Sequence, residues 1–173
     1  MSKFGLIHVF QFLLFLALQI LLMPGLVLFD TGFCFIYVAF LLFLPIEVPA
    51  VLLLFLGFIT GITIDIFYDT GGIHAAASVL LCFLRPFVLK LLTPRDGYES
   101  NDTINIHVMG WRWFLTYTFL LVFMHHLLLF FLELGSIRMV GFTMAKVLFS
   151  TLFTGVVIFI IQLLFFSVRR ATR

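Results

Sequence analysis

Six apolar stretches leave this chain few ways to fold. They run over about 4–23, 26–44, 47–68, 73–92, 109–133 and 140–168, and a helix that crosses the hydrocarbon core of a bilayer needs about 20 mostly apolar residues. Pro24-Gly25, Pro45, Asp69 and Thr93-Pro94 close the first four, where a helix must stop. The chain is 64% hydrophobic and 10% charged, against roughly 45–50% and 25% in soluble domains. A water-soluble fold could not hide that much apolar surface. We therefore expect an all-α polytopic membrane protein of about six transmembrane helices. It forms one integral domain over residues 1–173, with no room for a soluble domain. The run from Phe4 to Met23 is too long for a signal-peptide core and reads as the first span.

The second stretch is the weakest. Asp30, Thr31 and Gly32 lie near its start, and about 12 apolar residues remain, fewer than a regular span uses. It reads as a short span, a broken one or a re-entrant segment. The longest polar segment, Thr93 to His107, is rich in Gly, Asn and Asp and reads as turn and coil.

Lys and Arg placement orients the chain. With six spans, one side carries Lys3, Arg85, Lys90, Arg95, Arg112, Arg169, Arg170 and Arg173. The other carries Arg138 and Lys146. Both termini and the long loop are therefore expected in the cytoplasm. Asp30, Asp65, Asp69 and Gly71-Gly72 fall at the outer face.

The segment from Gly57 to Ala77 carries the most chemistry. Gly57, Gly61, Asp65 and Asp69 are each four residues apart and share one helix face. An Asp at a helix centre costs roughly 2.5–3.5 kcal/mol on insertion scales. Such a face is built to be covered by another helix, not by lipid. Gly57-x-x-x-Gly61 permits close helix approach, and Ala75, Ala76, Ala77 and Ser78 offer a small surface in return. The glycines either pack within the chain or dock another subunit. Asp65 and Asp69 have three readings. They are solvated at the interface and cap the next helix, or fix the hairpin through an internal bond, or serve a cation pathway. Glu133 and Asp30 look interfacial, which leaves a pathway without partners at membrane depth.

Other polar residues have structural readings. His125 and His126 point about 100° apart on a helix, so they read as neutral histidines bonded to neighbouring helices rather than a metal clamp. Gln11 and Gln19 share a face and read as internal contacts. Arg85 and Lys90 read as snorkelling cations, Trp111 and Trp113 as an interfacial anchor, and Arg169, Arg170 and Arg173 as a stop signal touching anionic lipid. Cys34 and Cys82 read as buried small hydrophobes. No catalytic set, phosphate loop, metal motif or nucleic-acid patch stands out. A non-enzymatic chain without cofactor or metal is expected.

The pattern Gly61-x-x-x-Asp65, a short gap, then Gly72-Ile-His74-Ala75 resembles the signature hairpin of the rod shape-determining protein MreD family. Chain length, hydropathy and the basic C-terminus are similar too. The resemblance covers the layout of nearly the whole chain and, at motif level, residues 57–92. Asp69, Gly71 and the polar Thr93–His107 loop depart from the family's pattern. The resemblance implies a membrane scaffold subunit of the bacterial elongation (rod) complex, the elongasome, in the cell inner membrane. It implies binding to the bitopic protein MreC, beside the filament MreB, the polymerase RodA and a class B penicillin-binding protein, in control of cell shape and side-wall peptidoglycan synthesis. Gly57, Gly61, Asp65, Asp69, Gly72 and His74 are its candidate hairpin or partner-binding residues. The family also resembles in fold the six-helix substrate-binding subunits of energy-coupling-factor vitamin transporters. That likeness supplies an alternative: a ligand-binding subunit with a cavity near its outer face, lined by Asp65, Asp69 and His74.

Overall fold

The computed structural model describes residues 2–95, 97–98, 104–135 and 140–165, with side chains from residue 5. Arg138, Arg169, Arg170, Arg173 and residues 96 and 99–103 of the polar stretch lie outside the described residues. The elements are helix α1 (Ser2–Leu22), a 3-10 turn (Met23–Gly25), strands β1 (Val27–Leu28) and β2 (Gly32–Phe33), and helices α2 (Val38–Phe43), α3 (Ala50–Tyr68), α4 (Ile73–Leu91), α5 (Ile106–Met109), α6 (Trp111–Leu134) and α7 (Val140–Phe165). Among the described residues, five helices are long and apolar enough to cross a membrane: Gly5–Gly25, Ala50–Tyr68, Ile73–Leu91, Trp111–Leu134 and Val140–Phe165. The chain is an all-α, multi-pass membrane protein. Its outward residues, among them Leu6, Phe10, Phe55, Phe87, Leu152 and Leu163, form the apolar belt that lipid requires.

The stretch 26–44 is not a continuous helix. It starts as a small antiparallel hairpin, with Val27 opposite Phe33 and Leu28 opposite Gly32. It runs on extended and ends in the six-residue α2. It nonetheless passes through the depth of the bundle. Phe33 and Phe35 meet Phe130, Tyr37 meets His125, and Leu42 meets Tyr117, so it runs antiparallel to α6. Phe40 and Phe43 meet Phe12 and Phe15, while Cys34 meets Gln19, so it also runs antiparallel to α1. Protein covers it from Cys34 to Leu42: Tyr37, Val38, Ala39, Leu41 and Leu42 have no exposed surface.

Non-helical backbone is tolerated at membrane depth only where protein satisfies its polar groups. Here side chains of the long helices do so. The Phe33 N–H donates to Ser150 Oγ at 2.9 Å, Phe35 N–H to Thr154 Oγ1 at 3.1 Å and Tyr37 N–H to Gln19 Oε1 at 3.4 Å. Gln19 Nε2 donates to the Cys34 carbonyl at 3.3 Å, and Tyr117 OH donates to that of Leu42 at 3.1 Å. Arg85 donates to the carbonyls of Leu44 and Pro45 and, through Nε, to Tyr117 OH at 2.9 Å. Arg85 therefore does not snorkel. It is 1% exposed and serves as an internal clamp on the end of α2.

The passage sets the parity of the fold. Gln19, late in α1, bonds Tyr68, at the end of α3, so the chain must return across the bundle between those helices. The start of α1, the 44–49 turn, the described residues that flank the connection from α4 to α6 (Leu92 and Ile106) and the end of α7 share one face. Trp113 Nε1 donates to the Leu92 carbonyl at 2.7 Å there, and Ile106 N–H donates to Gln162 Oε1 at 3.4 Å. The β-hairpin, the α3–α4 turn and the start of α7 share the other.

Candidate functional site

Glycine lets α3 and α4 approach until backbone touches backbone. A Cβ on Gly61 would lie 2.4 Å from Ala75 Cα and 2.5 Å from the His74 carbonyl oxygen. One turn earlier, a Cβ on Gly57 would lie 2.7 Å from Cys82 Sγ. Both glycines are buried under α4, so they pack within the chain.

The same close approach brings Asp65 to the start of α4. That helix begins after Gly72, whose φ of +98° suits glycine and supplies no capping side chain. The Asp65 carboxylate caps it from the preceding helix. Its Oδ1 accepts from His74 N–H at 2.9 Å and its Oδ2 from Ala75 N–H at 2.9 Å. These are the second and third residues of α4, the orphan donors an N-cap side chain normally satisfies. Thr70 Oγ1 donates to Asp65 Oδ1 at 2.6 Å, and His74 Nδ1 lies 3.1 Å from the same oxygen. The carboxylate is only 4% exposed yet fully engaged.

Asp69 takes no part in this cap. It ends α3 in the left-handed conformation, with φ +54°, and its N–H returns to the Asp65 carbonyl. Its side chain is exposed. The shared face of Gly57, Gly61 and Asp65 therefore does not extend to Asp69, because the helix unwinds between Tyr68 and Asp69. Thr70, which sequence reasoning passed over, takes the second place beside the carboxylate.

His74 joins the hairpin to the rest of the bundle. Its ring lies 5.5 Å from Phe35, 6.0 Å from Tyr37 and 5.7 Å from Tyr68, between centroids. Its Nε2 is buried and has no partner among the described residues. A cavity of about 220 Å³ borders the His74 side chain, enclosed by the β-hairpin, α1, the α3–α4 turn, α6 and α7. Thr70, His74, Tyr68, Gln19, Glu133 and Lys146 are its polar lining residues, set among Phe33, Phe35 and Phe130. Asp65 and Asp69 do not line it. Lys146 Nζ bonds Glu133 at 2.9 Å and stands 4.9 Å and 4.7 Å from the ring centroids of Phe33 and Phe130.

The two adjacent histidines separate as their helical spacing requires. His125 Nε2 meets Tyr37 OH at 2.8 Å. His126 Nδ1 meets the Val122 carbonyl at 2.7 Å and its Nε2 meets Thr154 Oγ1 at 3.3 Å. Gln19 is likewise an internal contact. Cys34 and Cys82 are buried free thiols. Among the described residues, no three of His, Cys, Asp and Glu converge as a metal site would need.

Comparison with protein-family models, with curated proteins and with solved structures gives no match to this chain.

Proposed function

We propose that this chain is a non-enzymatic scaffold subunit of the bacterial rod complex, similar to MreD, which holds an MreC-like bitopic partner within the cell-wall elongation machinery. One observation carries the reading. The residues of the motif, Gly61, Asp65, Gly72, His74 and Ala75, act as a single device that closes and caps the α3–α4 hairpin. Gly57 and Gly61 are spent on that closure, so the partner meets a different surface. Motif substitutions act by loosening the hairpin that shapes it. MreB, RodA and a class B penicillin-binding protein are expected in the same assembly.

The membrane is proposed to be the inner membrane, with both termini cytoplasmic. The basic side carries Lys3, Lys90, Arg95, Arg112, Arg169, Arg170 and Arg173, against Arg138 and Lys146 opposite. Arg85, buried in protein, drops out of that comparison.

A second reading, the substrate-binding subunit of an energy-coupling-factor vitamin transporter, draws support from the cavity beside His74. Against it, α1 contains only Ala17 where such subunits present an alanine-rich docking stripe. Affinity purification from native membranes in mild detergent, with mass spectrometry of proteins and small molecules, separates the two. Recovery of a bitopic periplasmic protein with wall-synthesis enzymes supports the scaffold. A stoichiometric vitamin with an ATP-driven module, and no wall enzymes, overturns it.

A further inference from the structure

We propose that the open groove between α3 and α4 seats the transmembrane helix of the bitopic partner, with a Lys or Arg of that helix set against Asp69. The inference rests on the scaffold reading and names the surface by which the partner docks.

The shape is that of a helix seat. The groove has a volume of about 650 Å³ and is lined by α3 and α4 alone, with apolar side chains throughout. Small residues, Gly72, Ala75 and Ala76, line it near the start of α4, and Phe58 and Phe83 line it deeper in the membrane. Both phenylalanines are about half exposed. Helices associate in lipid by close packing rather than by the hydrophobic effect, and ridges of one fill grooves of another. A partner helix fits here with bulky residues over Ala76 and small ones beside Phe58 and Phe83.

Access narrows the choice of surface. Of the six hairpin residues singled out in the sequence, Gly57 and Gly61 lie under α4, and Asp65 and His74 are buried in the cap. Asp69 is exposed and Gly72 partly so. Gly72 lines the groove, and Asp69 stands three residues before it in the same turn. The two that remain accessible therefore meet at one end of one groove.

The charge selects the occupant. Asp69 makes no ion pair among the described residues. A helix with a cation at that level gains an ion pair where it leaves the lipid, and a wholly apolar helix or a lipid tail does not. A second copy of this chain is disfavoured. Copies in one membrane share an orientation, so two-fold packing of groove on groove sets Asp69 beside Asp69, and like charges in contact are costly. The face is the one proposed as outer, where Lys and Arg are scarce beside spanning helices, so the demand on the partner is specific.

The test is photocrosslinking in native membranes, with the full chain carrying benzoylphenylalanine in place of the exposed Ala76 and mass spectrometry of the crosslinked peptide. The expected product joins position 76 to the spanning segment of a single-pass protein that has Lys or Arg in the turn at its outer end. Ala76→Trp fills the groove and should cut co-purification of that protein about tenfold, within the usual cost of overpacking. Asp69→Asn keeps a residue that tolerates the left-handed backbone and should cut it about threefold, as loss of one exposed ion pair predicts. Leu152→Trp, on the outward side of α7, should leave it unchanged. The crosslink needs neither Trp variant, so poor folding of one would not stall the test. A crosslink to lipid or to a second copy overturns the proposal, as does equal co-purification with Ala76→Trp and wild type. If a bitopic periplasmic protein still co-purifies in those cases, the scaffold reading stands without the groove. If none co-purifies with the wild type, both fall.

Discussion

Asp65 is the residue on which the hairpin turns. Four donors converge on its two oxygens, and two of them are the backbone N–H groups of His74 and Ala75 in the first turn of α4. Losing a helix cap costs roughly 0.5–2 kcal/mol, and leaving buried donors unsatisfied adds about 1–3 kcal/mol. Asp65→Ala should therefore destabilise the fold by about 3 kcal/mol, read as a fall in denaturation midpoint in detergent. Asp65→Asn keeps at most the three bonds to Oδ1, loses the one from Ala75 N–H to Oδ2, and should lie between it and the wild type. Asp69→Ala is the comparison. Its side chain is exposed and caps nothing, so only the strain of Ala at φ +54° remains, about 1 kcal/mol. If Asp69→Ala proved as damaging as Asp65→Ala, the cap described here would be wrong. The two aspartates look alike in sequence, four residues apart on one helical face. They differ because α3 ends between them, and periodicity alone does not reveal which turn is the last.

At the scale of elements, the glycine pair predicts a ranking. A methyl on Gly61 meets the backbone of α4, which cannot rotate away. A methyl on Gly57 meets chiefly the Cys82 thiol, which can turn, and then the Ser78 carbonyl at 3.1 Å. Overpacking typically costs about 1–3 kcal/mol. Gly61→Ala should fall at the top of that range and Gly57→Ala at the bottom, with Cys82→Ala restoring part of the loss in Gly57→Ala but none in Gly61→Ala. Midpoints of the three single and two double variants measure this. Equal losses would mean that the helices do not meet as described.

The broken second passage makes a separate prediction. Thr154→Val preserves shape and removes the acceptor for the Phe35 N–H. It should cost about 1–2 kcal/mol and speed hydrogen exchange at the Phe35 amide. Thr116→Val should cost little, since Thr116 Oγ1 only bonds its own helix at Arg112. Unchanged exchange at Phe35 in Thr154→Val would rule out the side-chain support of this strand. The long helices were legible in the sequence because hydropathy over about 20 residues is a local property. Stretches 47–68 and 73–92 became Ala50–Tyr68 and Ile73–Leu91. The path of 26–44 was not legible, since its course depends on Gln19, Ser150, Thr154, Tyr117 and Arg85 reaching it from other helices. Ser150 and Thr154, four apart on α7, were the available signal. Two hydroxyls on one face of an apolar helix ask for a non-helical backbone partner.

For the whole molecule, six passages follow from five long helices only because the segment through Tyr37 crosses. The start of α1 and the end of α7 then share a face, whichever way the protein sits in the membrane. Arg112 and Lys90 also lie toward that face, whereas Lys146 lies toward the other, paired with Glu133. Positive charge resists translocation, so the shared face should be cytoplasmic. Fluorescent-protein fusions at either terminus should glow in bacteria, and alkaline phosphatase fused at the same places should be inactive. A phosphatase fusion after Gly135 should be active, because α6 ends there on the opposite face. The three sites together separate two errors. Active phosphatase at both termini would invert the orientation and leave the parity intact. Activity at one terminus alone would mean that the passage through Tyr37 does not cross, and the side chains assigned to its support would need another purpose.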